Sequence, residues 1–130
     1  GKGFYNYGTD KRGRPSKTRA EEATSLFAPH VAPSKEFDKD EIIARMMIPM
    51  ANEAIRCLEE GIVGSAAEAD MALLYGLGFP PFRGGIFRYI ETMGLDNFVK
   101  LADRYANLGP VYQISDGVRE MAASGKSYFA

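Results

Sequence analysis

The longest amphipathic pattern in the chain begins near Asp38, where Glu41 three residues later fits a capping box. Pro49 lies inside the pattern, lacks the N–H that would bond to the Arg45 carbonyl, and should bend the helix. The opposite face is polar and includes Asn52. A broad apolar face of this width indicates contacts with more than one neighbour. Its residues recur at helical spacing: Ile42, Ile43, Met46, Met47, Met50, Ala51, Ala54, Ile55 and Leu58.

Shorter helical patterns follow, separated by glycine and proline turns. Ser65 and Glu68 start the second helix, which should stop at the Gly76-Leu-Gly78 turn. Three more helices are predicted at about 84–92, from an Asp96 N-cap to Gly109, and over 116–123. No stretch shows sustained strand alternation, so the predicted fold class is all-α, with about five helices and an extended N-terminal arm.

The N-terminal part has a different character. Gly1–Tyr7 is short and aromatic, and could pair or pack as a small arm. Gly8–Ala20 is basic, with almost no large apolar residue, and Glu21–Phe27 fits one or two helical turns. A nucleic-acid patch is an alternative for the basic stretch, but a solvated, mobile linker is the preferred interpretation. The predicted division is therefore 1–36, arm and linker, and 37–130, helical domain.

The composition supports one ordinary domain. The chain has 130 residues, 45% of them hydrophobic, and a formal net charge of -1, which gives no reason to expect a nucleic-acid or membrane-surface partner. No apolar run is long enough to span a bilayer, and no signal-peptide pattern opens the chain. The single cysteine, Cys57, fits a reducing compartment, so a cytoplasmic location is expected. The start at Gly1, without a methionine, indicates a domain or fragment.

No catalytic, metal or cofactor site is expected within this chain. The one histidine, His30, lies in a proline-flanked loop and is interpreted as a surface residue. Cys57 is mid-helical and is interpreted as a packed thiol. One histidine and one cysteine cannot make a typical zinc site. Gly125-Lys126-Ser127 lacks the earlier glycine of a phosphate-binding loop, and Gly76-Leu-Gly78 follows a helix instead of a strand, so neither predicts nucleotide binding.

One faint internal repeat is present. The chain starts Gly-Lys-Gly-Phe-Tyr and nearly ends Gly-Lys-Ser-Tyr-Phe. A similar segment could close each of two successive helical repeats, with the first repeat lying upstream of Gly1. Sequence similarity this short gives only a weak indication by itself.

Four motifs resemble the helical C-terminal domain of the 3-hydroxyacyl-CoA dehydrogenases. Members of that family carry a helix with Asn-Arg-Leu-Leu-x-Pro-x-x-x-Glu-Ala, then Asp-x-Ala, Gly-x-Gly-x-Pro and Gly-Leu-Asp. The corresponding segments here are Ala44–Ala54, Asp70–Ala72, Gly76–Pro80 and Gly94–Asp96. The four segments occur in the family's order and spacing, and together they span about half of the chain. The similarity is greatest to the multifunctional alpha subunits of the bacterial fatty acid oxidation complex.

The departures from the pattern resemble a second, non-catalytic copy of the domain. Ala44 stands where the family has an asparagine that helps to position substrate and catalytic histidine, and Pro81 and Arg83–Gly85 also differ from the family pattern. Such alpha subunits contain two helical copies, and the second packs against the first. The resemblance implies a parent that hydrates 2-enoyl-CoA and oxidises 3-hydroxyacyl-CoA with NAD. Its partners would be the first helical copy, the NAD-binding domain, a thiolase beta subunit and acyl-CoA; Gly1–Tyr7 would close the first copy.

Tyr75 is the one candidate substrate-binding residue. It directly precedes the Gly76-Leu-Gly78 turn, at a position where the family's alpha subunits are described as binding substrate through a tyrosine. The alternative is a packing role between the two helical copies. For the chain as a whole, the alternative to the dehydrogenase interpretation is a free-standing helical protein-interaction domain. An upstream reading frame of several hundred residues would distinguish the two.

Overall fold

The computed structural model describes residues 3–33 and 35–129. The outermost residues of the predicted arm and of the predicted helical domain lie outside these described residues. The chain divides into two compact units, Gly1–Glu36 and Phe37–Ala130. The predicted helical fold is confirmed, and the described residues contain six α-helices where about five were expected. The assignment of the first unit to a preceding repeat stays a prediction.

A β-hairpin opens the first unit, in a region where the sequence predicts an aromatic arm and a mobile linker. Strand β1, Tyr5–Thr9, pairs antiparallel with strand β2, Pro15–Arg19, and Tyr5 lies opposite Arg19. The interpretation of Gly8–Ala20 as a mobile linker is therefore wrong. The hydrophobic pattern did not predict the hairpin, because both faces of the hairpin are largely exposed. Its strands therefore lack the alternation of apolar and polar residues that is typical of a half-buried sheet.

The hairpin turn depends on one carboxylate. Asp10 Oδ1 accepts the backbone N–H groups of Arg12 at 2.8 Å and Arg14 at 3.0 Å, which together with the Arg14 side chain lower the pKa of Asp10. Gly13 adopts a φ of 73°, which favours glycine. The aspartate and glycine of this turn supply the local sequence signal for a hairpin.

A short helix completes the first unit. Helix α1 spans Glu21–Phe27, as expected, and continues into a 3-10 turn, Ala28–His30. The Phe4 ring stacks on the Phe27 ring with 5.4 Å between centroids. His30 is exposed, which agrees with its interpretation as a surface residue.

The long helix α2, Lys39–Glu59, begins as predicted, because Asp38 accepts the Glu41 N–H at 2.8 Å. Its apolar residues form two separate faces. The buried face is made by Ala44, Ile48, Ala51 and Ile55. The other, called here the α2 apolar stripe, is exposed and consists of Ile42, Ile43, Met46 and Met50.

Helix α2 is joined to the chain near Tyr112 by side-chain hydrogen bonds. Asn52, expected on the polar face, is instead buried and donates to the carbonyls of Val111 at 2.9 Å and Gln113 at 3.1 Å. The Tyr112 hydroxyl donates to the Arg45 carbonyl at 3.3 Å. That carbonyl is the one that a proline at position 49 leaves without its helical N–H partner. The helix continues through the proline, and the expected bend stays a prediction.

Four further helices follow α2 in the chain; the first three contact α2, and the last packs on the third. Helix α5, Leu95–Asp103, starts at Leu95 instead of after Asp96. The Asp96 carboxylate lies in its first turn and pairs with Lys100 at 3.1 Å. The largest fully buried side chains define the core: Phe87, Phe98, Ile48, Ile86, Ile90 and Val118. The helices are α3, Ala66–Ala72; α4, Ile86–Met93; α5, Leu95–Asp103; and α6, Asp116–Ser124.

Within residues 3–33 and 35–129, no helix combines the length and apolar character needed to cross a membrane.

Candidate functional site

The predicted site residue lies in a tight turn after α3. Ser65 caps this helix by accepting the Glu68 N–H at 3.1 Å, as the sequence predicts. The helix then widens into a π-helical turn, Leu73–Leu77, and ends at Gly78, which has a φ of 71°. Single π-helical turns are rare in proteins and are frequently found at functional sites. We call residues 73–83 the Tyr75 turn.

Large apolar side chains project from the Tyr75 turn into solvent. Tyr75 and Phe82 are each 83% exposed, and Leu77 is exposed to nearly the same extent. Phe79 is buried and donates its backbone N–H to the Leu73 carbonyl at 3.1 Å, which anchors the turn to the core. The turn is therefore fixed at its base and apolar at its surface, as expected of a contact surface.

A guanidinium group links this turn to α4. The Arg83 guanidinium lies 5.4 Å from the centre of the Phe82 ring and 5.6 Å from that of Tyr89. Both distances lie within the range of cation–π attraction. Arg83 thus connects the exposed Phe82 ring to a partly buried ring of α4 and places a positive charge beside the apolar surface.

The buried carboxylate of Asp70 fixes the other side of the turn. It accepts the backbone N–H groups of Phe87 at 2.8 Å and Arg88 at 3.1 Å, at the start of α4. A Cβ atom at Gly85 would lie 2.2 Å from Asp70 Cγ, so this approach requires glycine, which has a φ of 116°. We call this arrangement the Asp70 latch. It joins the two helices that flank the Tyr75 turn.

The electrostatics of the latch indicate a structural role for Asp70. Burial raises the pKa of Asp70, and the hydrogen bonds from Phe87 and Arg88 partly oppose that rise. Both carboxylate oxygens are engaged with backbone N–H groups, so the side chain is committed to capping α4. The arrangement around Tyr75 can bind an apolar ligand or surface and offer it one phenol hydroxyl.

Comparison with known proteins gives the chain its family. Residues 42–127 match the model of the 3-hydroxyacyl-CoA dehydrogenase C-terminal domain. The chain belongs to this family. Relatives include the fatty acid oxidation complex subunit alpha of Idiomarina loihiensis, 66% identical over 99% of this chain, and that of Colwellia psychrerythraea, 64% identical over 99%. The chain spans 18% of the length of each of these relatives.

Within this dehydrogenase C-terminal domain, position 44 lies in the core. Ala44 is 4% exposed and belongs to the main apolar cluster with Ile48 and Ala51. Its methyl group has no donor or acceptor for a substrate or a histidine. The departure from the family's asparagine is thus accommodated by packing.

The other sequence predictions for this domain have mixed outcomes. Tyr75 is placed on the surface, where a ligand can reach it, and its role stays a prediction. Cys57 is partly buried. Gly125 ends α6 with a φ of 65°, and the absence of a phosphate-binding loop there stays a prediction. Among the described residues, no group of three or more histidine, cysteine or acidic side chains could hold a metal ion.

Sequence reasoning missed the Asp70 latch. In the sequence, Asp70 stands out only as part of a motif, and Gly85 only as a departure from one. The sequence did contain a signal, which was an aspartate late in one helix and two adjacent glycines directly before the next helix. A buried carboxylate needs hydrogen-bond donors, and the free backbone N–H groups at a helix start supply them.

Proposed function

We propose that this chain is the C-terminal part of the alpha subunit of a fatty acid oxidation complex. The whole subunit would hydrate 2-enoyl-CoA and oxidise the resulting (S)-3-hydroxyacyl-CoA with NAD. The observation that carries the proposal is the 66% and 64% identity of nearly the whole chain to two subunits of that name, of which it spans 18%. The NAD-binding domain and the catalytic histidine–glutamate pair would lie outside this chain.

The segment itself would act by packing against the catalytic helical copy of the same subunit. Support comes from the α2 apolar stripe, in which Ile42, Met46 and Met50 follow each other at four-residue spacing on one side of the helix. Met46 is 68% exposed. Burying a side chain of this size stabilises an interface by about 1.5–3 kcal/mol, so a matching surface would gain substantially from covering the stripe.

Tyr75 would contribute the contact with substrate. Its ring and hydroxyl are exposed on the Tyr75 turn, and the Asp70 latch fixes that turn at its base. An acyl-CoA offers an apolar chain for the ring and a thioester carbonyl for the hydroxyl. Packing between the two copies is the competing role for Tyr75.

The parent would work in the cytoplasm as part of a complex, with a thiolase beta subunit as its partner. The relatives' names support a complex, since both are called subunits of one. The thiolase and the location follow from the family resemblance and are proposed with it.

A comparison of the isolated chain with the full-length subunit tests the proposal. The full-length subunit should form NADH from (S)-3-hydroxybutyryl-CoA, while the isolated chain should show no turnover and no NAD binding by calorimetry. Turnover by the isolated chain that a substitution within it abolishes would overturn the proposed division of roles.

A charge placed on the α2 apolar stripe tests the packing role separately. Met46→Lys keeps a good helix former and should lower the melting temperature of the full-length subunit, because the ammonium would be buried. The same change should leave the isolated chain nearly unaffected, since Met46 is already exposed there. Arg56→Gln, at an exposed position of α2, is the matched control and should be neutral in both proteins. Equal effects of Met46→Lys in both would contradict the interface.

A further inference from the structure

Exposed apolar side chains are concentrated at the end of helix α3 and on the Tyr75 turn. Tyr75, Leu77 and Phe82 are each at least 75% exposed, and Met71 is 49% exposed. Met71 precedes Tyr75 by four residues, so these two lie on the same side of the helix end. We call Met71, Tyr75, Leu77 and Phe82 the Tyr75 patch. An apolar surface of this kind on a folded domain indicates a binding site.

Backbone hydrogen bonds fix the segment that carries the Tyr75 patch. The Phe79 N–H donates to the Leu73 carbonyl at 3.1 Å, and the Arg83 N–H donates to the Pro80 carbonyl at 2.9 Å. The rings of Pro80 and Pro81 restrict the backbone further. An ordered surface loses little conformational freedom when a ligand binds, so more of the contact energy contributes to affinity.

The charges around the Tyr75 patch favour an anionic ligand. Residues 71–85 contain no aspartate or glutamate, and Arg83 is their only charged residue. The Arg83 guanidinium lies against the rings of Phe82 and Tyr89, at 5.4 Å and 5.6 Å from their centres. The carboxylate of Asp70, just before this segment, is buried and bonded to backbone N–H groups. The patch therefore combines an apolar surface with a positive charge at its edge.

The chemistry of an acyl-CoA matches this combination, because its acyl chain is apolar and its phosphates are negatively charged. A short acyl chain ends within the reach of one aromatic ring, whereas a long chain continues beyond Tyr75. Leu77 and Phe82 offer further apolar surface, and the proposed contact of Tyr75 with the thioester does not use them. Each methylene of the chain that leaves water stabilises the bound state, so a long chain gains more from this surface than a short one.

We propose that Leu77 and Phe82 bind the distal part of a long acyl chain, which makes the dehydrogenase reaction of the full-length subunit selective for long-chain over short-chain 3-hydroxyacyl-CoA. Arg83 is a positioning residue, because its guanidinium contacts both the Phe82 ring and Tyr89 of α4. The inference rests on the proposed function, since it requires Tyr75 to contact the substrate. The competing occupant of the patch is the catalytic helical copy of the same subunit.

Kinetics of the full-length subunit with a long and a short substrate test this selectivity. The kcat/KM for NADH formation is measured with (S)-3-hydroxyhexadecanoyl-CoA, kept below its micelle concentration, and with (S)-3-hydroxybutyryl-CoA. Leu77→Ser and Phe82→Ser should each lower kcat/KM for the long substrate by about tenfold, the lower end of the effect of an apolar contact on selectivity. The value for the short substrate should stay unchanged, because its chain does not reach either side chain.

Three controls separate chain binding from a general loss of activity. Phe82→Leu keeps an apolar side chain and should retain most of the preference for the long substrate. Ile62→Ser removes another apolar side chain, which is 67% exposed and lies before the start of α3, and should leave the preference unchanged. Hydration of long and short 2-enoyl-CoA should be unaffected in every variant, since that reaction would occur in another domain of the subunit.

Arg83→Gln tests the positioning role. It removes the cation beside the Phe82 ring and should lower the preference for the long substrate, by less than Phe82→Ser does, because the ring remains. Arg83→Lys keeps the positive charge and should retain most of the preference. Equal losses for the long and the short substrate in Arg83→Gln would exclude the positioning role.

The outcomes separate this inference from the proposed function. A loss confined to the long substrate, with an unchanged melting temperature of the subunit, is the expected result. Equal losses for both substrates together with a lower melting temperature would assign Leu77 and Phe82 to the interface with the catalytic copy and overturn the inference. An active subunit whose preference does not change in either serine variant would overturn it as well. A subunit that forms no NADH from either substrate would contradict the proposed function, and this inference with it.

Discussion

Replacing Gly85 with alanine should break the contact between α3 and α4 that fixes the Tyr75 turn. The new Cβ would lie 2.2 Å from Asp70 Cγ and 2.3 Å from Oδ1, far inside van der Waals contact. The neighbouring atoms belong to a short, buried side chain whose oxygens are already bonded to Phe87 and Arg88. Relief of the clash therefore requires the carboxylate to leave those N–H groups, or the start of α4 to move.

The expected loss of stability follows from these two effects. A backbone conformation such as the φ of 116° at Gly85 costs a residue with a side chain about 1–3 kcal/mol. Each lost hydrogen bond to the Asp70 carboxylate costs about 1.5–3 kcal/mol. The lower ends of these ranges give about 4 kcal/mol for Gly85→Ala, a large share of the ~5–15 kcal/mol that stabilises a typical domain.

Urea unfolding of the isolated chain, followed by circular dichroism, measures this loss. Gly76→Ala is the matched control. Gly76 lacks a positive φ, and no neighbouring atom lies within 4 Å of the position of an alanine Cβ. The free energy of unfolding should therefore change by no more than about 1 kcal/mol. Asp70→Ala should be destabilising and should not add fully to Gly85→Ala, since both remove the same hydrogen bonds. A loss below about 1 kcal/mol for Gly85→Ala would refute the latch.

Three further substitutions test other parts of the structure. In the full-length subunit, Tyr75→Phe should raise KM for 3-hydroxyacyl-CoA and leave the melting temperature and hydratase rate unchanged; lost stability with unchanged kinetics would assign Tyr75 to packing. Pro49→Ala should change the unfolding free energy by less than the ~3 kcal/mol intrinsic to proline in a helix, or should destabilise; a large gain in melting temperature with activity intact would show that the proline is not needed. Asn52→Ala should lower the free energy of unfolding in urea by about 1–3 kcal/mol, because it leaves two carbonyls unpaired. The control Glu53→Ala, at an exposed neighbouring position, should lower it by about 0.5 kcal/mol or less. Equal losses for the two variants would exclude a stabilising role for the Asn52 hydrogen bonds.

Local signals in the sequence predicted local structure well. The caps at Asp38 and Ser65 and the glycine at 78 mark helix ends in the structure because each acts on backbone groups within a few residues. The hairpin over Tyr5–Thr9 and Pro15–Arg19 was missed because it stands on turn geometry and strand pairing, without an apolar face.

Long-range contacts could not be predicted from the pattern. Asn52 reads as polar and exposed, and its burial depends on carbonyls 59 and 61 residues away in sequence. Asp70 likewise depends on N–H groups 17 and 18 residues away. The candidate site shows both limits, since the exposure of Tyr75 follows from a local turn while the fixing of that turn follows from the Asp70 latch.

Several residues that belong to the family's sequence motifs have structural roles that do not depend on catalysis. Asp70 caps α4, Gly78 supplies a positive φ after α3, and the carbonyl freed at Pro49 is bonded by the Tyr112 hydroxyl. A chain can therefore keep these residues for folding alone. Position 44 is different, because the methyl group of Ala44 satisfies the core but offers nothing to a substrate or a histidine. The residues at these structural positions therefore support the fold. The alanine at position 44 supports only the proposal that the catalytic residues lie elsewhere in the parent.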